Sequence, residues 1–166
     1  MVVENECDEV NEQRRQLLEM LFTEGNHLCP SCEKSGDCTL QTVAIHCGLV
    51  SPQLDYQFPR REVDASHADF ILDYSRCINC ELCVRASRDV DGKSVFAING
   101  RGHEAHLVVN SADGRLGSSR FDKQDRAASI CPVGVILPKH RGFKIPMGQR
   151  TFDRFDIDDP EGPRHE

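Results

Sequence analysis

The stretch Cys77-Ile78-Asn79-Cys80-Glu81-Leu82-Cys83, followed far downstream by Cys131-Pro132, decides how this chain is read. Three thiolates at two-residue intervals can wrap three corners of a cubane iron–sulfur cluster, while backbone N–H groups between them donate to the sulfides. In two-cluster bacterial ferredoxins a fourth cysteine follows after three residues and ligates the neighbouring cluster. Here that position is Ser87. The run therefore passes no thiolate to a neighbour, and a remote cysteine has to close its own site. Cys131 is the only downstream candidate, and its following proline is usual beside a closing ligand. The reading is one [4Fe–4S] cluster held by Cys77, Cys80, Cys83 and Cys131. Four thiolates also suit tetrahedral Zn²⁺, although zinc sites more often pair two separate CxxC knuckles than use a CxxCxxC run.

A second constellation lies upstream: His27-Leu28-Cys29-Pro30-Ser31-Cys32-Glu33-Lys34-Ser35-Gly36-Asp37-Cys38. Cysteines spaced CxxCx5C with no fourth nearby leave one corner of a cubane open. His27 stands beside them and can supply a neutral imidazole; Asp37, His46 and Cys47 are its rivals for that corner. Gly36 gives the loop the tight bend needed before Cys38. The reading is a first [4Fe–4S] cluster on His27, Cys29, Cys32 and Cys38. Imidazole in place of one thiolate makes a cluster one unit less negative, which should raise its reduction potential, as in Rieske centres.

Composition supports metal as the use of these side chains. Nine cysteines in 166 residues is an odd number. The opening MVVENECDEV has neither a basic region nor an apolar stretch, so no signal peptide is expected. A chain of that kind should sit in a reducing cytosol, where disulfides do not persist. Leu, Ile, Val and Phe total 41, and there is no Trp, so the core is lean. Metal sites stabilise such a chain because site formation and folding become one free energy. Much of the surface should then be covered by neighbouring subunits. No run approaches the roughly 18 to 20 apolar residues of a membrane helix. The formal charge of −7 argues against a nucleic-acid binder. Neither GxGxxG nor a P-loop occurs, so no nucleotide should bind directly. His103, His106, Arg101 and Lys93 accompany no nucleophile or paired carboxylates and read as surface. Cys7 and Cys47 read as ordinary thiols.

The fold class expected is α+β. Residues 1–50 read as a helix (8–23, capped by Asp8, stopped by Gly25) followed by the His/Cys3 loop and a short helix over 39–47. The first helix shows an apolar stripe of Leu17, Leu18, Leu21 and Phe22; the second shows Leu40, Val43, Ala44 and Cys47. Residues 51–69 read as a surface connector. Residues 70–143 read as a ferredoxin-like domain. Its expected elements are an extended Phe70–Tyr74, a helix over Cys80–Arg88 and strands at Ser94–Asn99 and Ala105–Asn110 about Gly100-Arg101-Gly102. A helix over Asp122–Ile130 then delivers Cys131. Residues 144–166 read as an extended tail.

Several strings also resemble a known family. Glu24 to Cys38, Phe58-Pro59-Arg60-Arg61-Glu62-Val63-Asp64, Arg76 to Cys80, Val84 to Lys93, Cys131-Pro132-Val133-Gly134 and Pro146-Met147-Gly148-Gln149-Arg150 are similar to the HoxU-type diaphorase iron–sulfur subunit of NAD-reducing [NiFe] hydrogenases. The similarity runs over nearly all of residues 1–152. The same two-cluster module opens the large iron–sulfur subunit of respiratory complex I and occurs in some [FeFe] hydrogenases. The complex I relatives place three residues between the histidine and the first cysteine. Here only Leu28 intervenes, as in the hydrogenase branch. The resemblance implies a cytosolic electron relay, not catalytic alone, between a flavin- and NAD-binding diaphorase subunit and the small and large [NiFe] hydrogenase subunits. An equivalent relay in a complex I-like NADH dehydrogenase or a bifurcating [FeFe] hydrogenase is the alternative, and a zinc-stabilised interaction module the remote one. Members usually open with a plant-type [2Fe–2S] domain, for which no ligand set can be drawn on these residues.

Overall fold

The computed structural model describes residues 2–146, 148 and 149. The chain forms a mixed helix and sheet structure in two compact units, one of residues 2–58 with 143–146, 148 and 149, the other of Pro59–Gly142. Beyond Gln149, the tail expected over 144–166 lies outside the described residues.

In the first unit α1 (Asp8–Glu24) packs beside α2 (Thr39–His46). Cys7, not Asp8, is the α1 N-cap, and no side chain caps it. Asp8 instead joins Glu9 in the first turn, where both carboxylates oppose the positive end of the helix dipole. Gly25 ends the helix as expected, its N–H bonding the Leu21 carbonyl at 3.4 Å. The expected apolar stripe is narrower than read. Phe22 is buried and Leu18 and Leu21 are half-buried, but Leu17 is 61% exposed. On α2, Leu40 and Ala44 are buried while Val43 faces outward. Part of the expected connector is tied down along α1. Glu19 Oε1 accepts from the backbone N–H groups of Gln53 and Leu54, and the Gln57 N–H reaches the Thr23 carbonyl at 2.8 Å.

The second unit is built on a three-stranded antiparallel sheet, in the order β1 (Val63–Asp64), β2 (Phe70–Asp73), β5 (Ile136–Pro138), and on the antiparallel pair β3 (Phe96–Asn99) and β4 (His106–Val109). Two of these strands depart from the sequence reading. β1 lies inside the stretch read as connector, and β5 was not expected. Both are too short to show a period of two, and tertiary pairing with β2 creates them. The Phe70↔Pro138 and Leu72↔Ile136 register lays the segment after Cys131 along the central strand. The hairpin forms where expected, with Phe96 opposite Val109 and Asn99 opposite His106. Its loop carries a 3₁₀ turn over Gly102–Glu104, and Gly100 (φ 82°) is required there, because a Cβ would collide with the Glu104 carbonyl.

The helices are shorter than read. α3 (Leu82–Arg85) starts two residues after Cys80 and widens into a π-turn over Ala86–Val90. α4 is only Arg126–Ser129. Before it, the Asp122 and Asp125 carboxylates accept from the backbone N–H groups of Gln124 and Asp122, a local alternative to helix. The core gathers around Phe121, which meets Phe70 (5.3 Å between ring centroids), Phe96 (5.7 Å) and His67 (5.4 Å) edge to face.

A buried carboxylate adds a pH-sensitive tie. Asp64, on β1, is 3% exposed and accepts from the N–H of Leu116 at 2.7 Å and of Ser66 at 2.8 Å. Burial alone would raise its pKa, but these N–H groups hold it below the usual carboxylate range. A pKa lower in the folded than in the unfolded chain gives stability that is present above about pH 4 and lost as pH falls through the folded value. Asp64→Ala is expected to cost about 1–3 kcal/mol at pH 7 by orphaning the Leu116 N–H. It should also flatten the acid limb of stability, both read from urea midpoints across pH.

Candidate metal centres

In the second unit, β2 runs into a 3₁₀ turn (Tyr74–Arg76) that delivers Cys77. Asp73 fixes this turn: its Oδ1 accepts from the Ser75 N–H at 3.1 Å, and its Oδ2 pairs with Arg76 at 2.9 Å. The loop from Cys77 to Cys83 then winds tightly, with Asn79 (φ 51°) and Glu81 (φ 60°) both left-handed. Such conformations in non-glycine residues persist only where the surroundings hold them. The Asn79 amide donates to the Ala105 carbonyl at 3.0 Å, tying the loop to the hairpin. Arg85 reaches back from α3 to the Cys80 carbonyl at 3.3 Å. Cys83 is buried in α3, and Cys131 arrives from the other side after α4.

These four cysteines line one pocket. Its remaining wall is mostly apolar, with Ile98 from β3, Leu107 from β4, and Val133, Val135 and Ile136 from the segment entering β5, beside Asn79 and Glu81 of the loop itself. Burial, and then the neighbouring Cys131, Cys77 and Cys80, push the Cys83 thiol up to about 12. Burial raises Cys77 as well, against the opposing backbone N–H of Asn79. Thiols of this kind stay protonated until a cation takes the proton's place, so loading the site releases protons. A dry wall, four converging sulfurs and inward backbone N–H groups are the surroundings an iron–sulfur cubane requires. Among the described residues no three His, Cys, Asp or Glu side chains are gathered closely enough to hold a single metal ion.

In the first unit, Cys29 opens a 3₁₀ turn (Cys29–Ser31) with Pro30 in its first positions. The Cys32 N–H bonds the Cys29 carbonyl at 3.2 Å, and the Ser35 N–H the Cys32 carbonyl at 3.0 Å. Gly36 takes φ 85°, the bend expected of it, and its N–H is held by Gln41 of α2 at 2.9 Å. Cys38 is the residue before α2, and the N–H groups of Gln41 and Leu40 favour its thiolate while burial raises its pKa. Burial, then Cys38 and Cys32, lift the Cys29 thiol to about 11, so the three sulfurs share one electrostatic neighbourhood.

His27 is buried, edge-on to Phe22 with ring centroids 5.7 Å apart. It shares with Cys29 an apolar cleft of about 250 Å³, walled by Ala44, Ile45 and Leu49 among others; Cys32 and Cys38 do not line it. The rivals stand elsewhere. Asp37 pairs with Lys34 and Lys144, each at 3.1 Å, and these ammonium groups hold its carboxyl below the usual range despite partial burial. His46 is exposed at the end of α2, and Cys47 is the C-cap residue. The surface reading of Arg101, His103 and His106 matches their exposure, while Lys93 is engaged with Asp125 at 2.6 Å. His103 and His106 also line an open cleft of about 550 Å³ beside Cys77, with Arg61, Tyr74 and Arg115.

Comparison with known proteins places an iron–sulfur family over each cysteine cluster. The iron–sulfur binding region of NADH-ubiquinone oxidoreductase G matches residues 14–52, the span of His27, Cys29, Cys32 and Cys38. A 4Fe-4S single cluster domain matches residues 70–137, the span of Cys77, Cys80, Cys83 and Cys131. Over 91% of its length the chain is 40% identical to the gamma subunit of NAD-reducing hydrogenase HoxS from Cupriavidus necator, covering 64% of that protein. It matches a chain of the NAD+-reducing [NiFe]-hydrogenase solved in the H2-reduced state with a TM-score of 0.84 and 50% identity, over 90% of this chain and 63% of that one. The resemblance read from the motifs holds along nearly the whole chain. NADH-quinone oxidoreductase subunit 3 of Thermus thermophilus is 35% identical over 87% of this chain, which covers only 20% of that protein. The chain thus spans just under two thirds of the hydrogenase relatives and a fifth of the complex I one. No helix among the described residues is long and apolar enough to cross a membrane.

Proposed function

We propose that this chain is an electron-relay subunit of a cytosolic NAD-reducing [NiFe] hydrogenase, carrying two [4Fe–4S] clusters. The observation that carries the reading is the convergence of Cys77, Cys80, Cys83 and Cys131 on one largely apolar pocket. One cluster would sit there, in a ferredoxin-like α+β unit. The other would sit on Cys29, Cys32 and Cys38 with His27 as fourth ligand, in the small helical unit. The clusters, when bound, supply one-electron chemistry by outer-sphere tunnelling. The chain's own work is to hold the ligand loops rigid, exclude water with Ile98, Leu107 and Val133, and present backbone N–H groups to the sulfurs. Its partners would be a flavin- and NAD-binding diaphorase subunit on one side and the small and large hydrogenase subunits on the other.

Similarity at 50% identity to a chain of a [NiFe] hydrogenase favours this reading. The Thermus relative keeps a second one in view, the equivalent relay of a complex I-like dehydrogenase. Metal analysis of the complex that co-purifies with the tagged chain separates them. About one nickel per complex together with H2-dependent NAD⁺ reduction is expected. NADH oxidation in a nickel-free complex would instead favour the dehydrogenase.

A further inference from the structure

The pocket around Cys77, Cys80, Cys83 and Cys131 joins two segments far apart in sequence, and one carboxylate bridges them. Asp91 follows the π-turn that continues α3, with its N–H on the Ala86 carbonyl at 3.0 Å. Its Oδ1 accepts from the Arg126 N–H at 2.8 Å and its Oδ2 from the Ala127 N–H at 3.0 Å. These are the first two N–H groups of α4, the short helix that leads to Cys131. They would otherwise have no partner within the helix. Asp125, the N-cap residue of α4, makes no side-chain cap to it, because its carboxylate is taken by Lys93 (2.6 Å) and the Asp122 N–H (2.9 Å). Ser87 locks the other end of the bridge. Its buried hydroxyl accepts from the Val95 N–H at 2.8 Å, and its carbonyl accepts from the N–H groups of Lys93 and Ser94. The residue that stands where a ferredoxin has its fourth cysteine therefore anchors the turn that carries Asp91.

We propose that Asp91 is the positioning residue for Cys131: it clamps the start of α4 to the end of the Cys77–Cys83 segment and so fixes the fourth corner of the second site. This rests on the cluster reading above. Without the clamp the Cys131 thiolate drifts from its corner, and the iron it holds is the first to be lost.

The test uses the full chain, purified anaerobically, as wild type, Asp91→Ala, Asp91→Asn and Asp89→Ala. Asp89 lies on the same π-turn but is exposed and pairs with its neighbour Arg88, so it is the control. Iron release to a chelator and EPR of oxidised and reduced samples are followed together. Asp91→Ala should release iron from one of the two clusters about ten- to a hundredfold faster, the usual consequence of losing an outer-shell partner. It should also show the signal of a three-iron cluster on oxidation while the other cluster's reduced signal is kept. Asp91→Asn, with one acceptor oxygen, should fall between, and Asp89→Ala should match wild type. Asp91 variants with wild-type release rates and no three-iron signal would overturn the proposal, as would loss of both clusters together in Asp91→Ala and Asp91→Asn. A wild-type chain without iron or sulfide would instead remove the cluster reading itself.

Discussion

Cys83→Ser is expected to take the iron content from about eight to about four atoms per chain and to stop H2-driven NAD⁺ reduction in the assembled complex. Cys83 is the most enclosed of the four thiols in its pocket, and α3 leaves a serine oxygen there no freedom to shift. A serine hydroxyl is a far weaker acid than a thiol, so the variant lacks the thiolate that iron needs. On the proposed relay reading, the flavin-side reaction, NADH oxidation by an artificial acceptor, would bypass this chain and should survive. Iron and sulfide assays with the two activities measured side by side check this. Normal H2-driven NAD⁺ reduction in a variant confirmed to hold four irons would sever the pocket from the electron path.

Phe96→Ala is expected to have the largest effect on folding. Phe96 is 1% exposed, opens β3 and meets Phe121 edge to face, while Phe121 also bears on Phe70 of β2. Truncating it leaves a cavity beside Phe121, the ring through which β3 is linked to Phe70 of β2. The usual cost of such a change is about 3–5 kcal/mol, against a total stability of about 5–15 kcal/mol for a domain. With urea slopes of about 1–3 kcal/mol/M, the midpoint of this unit should fall by roughly 2 M. Phe96→Leu, which fills much of the volume, should lose less than half of that. Because Ile98 of the same strand walls the cysteine pocket, Phe96→Ala should also lower cluster occupancy at 37 °C. Equal midpoints for wild type and Phe96→Ala would show that the core is not centred on Phe121.

The features legible in the sequence are those encoded locally. Cysteine spacing singled out the run at Cys77, and elimination singled out Cys131; the structure brings these four to one pocket. Gly36, Gly25 and the turn at Gly100 act where their chemistry indicated, since a bend or a helix stop is decided within a few residues. What escaped the sequence is set by distant partners. β1 and β5 are strands only because β2 lies beside them. Leu17 fits the helical stripe yet faces outward, because a period marks which residues share a helix face and not what packs against that face. Asp64 and Asp91 lie within the strings that carry the resemblance, which assigns a role to neither. Each is a cap for backbone N–H groups 35 or more positions away, at Leu116 and at Arg126 and Ala127. No local signal marks a carboxylate for such a role. The left-handed Asn79 and Glu81 escaped for a related reason: the loop's winding is dictated by where its sulfurs must point, not by glycine.

The central claim, that this polypeptide is a two-cluster conductor, is tested most directly by quantifying iron, acid-labile sulfide and zinc in the anaerobically purified full chain. The account predicts a brown protein with about eight iron and eight sulfide per chain and no stoichiometric zinc. A colourless protein with about two zinc and no sulfide would contradict it.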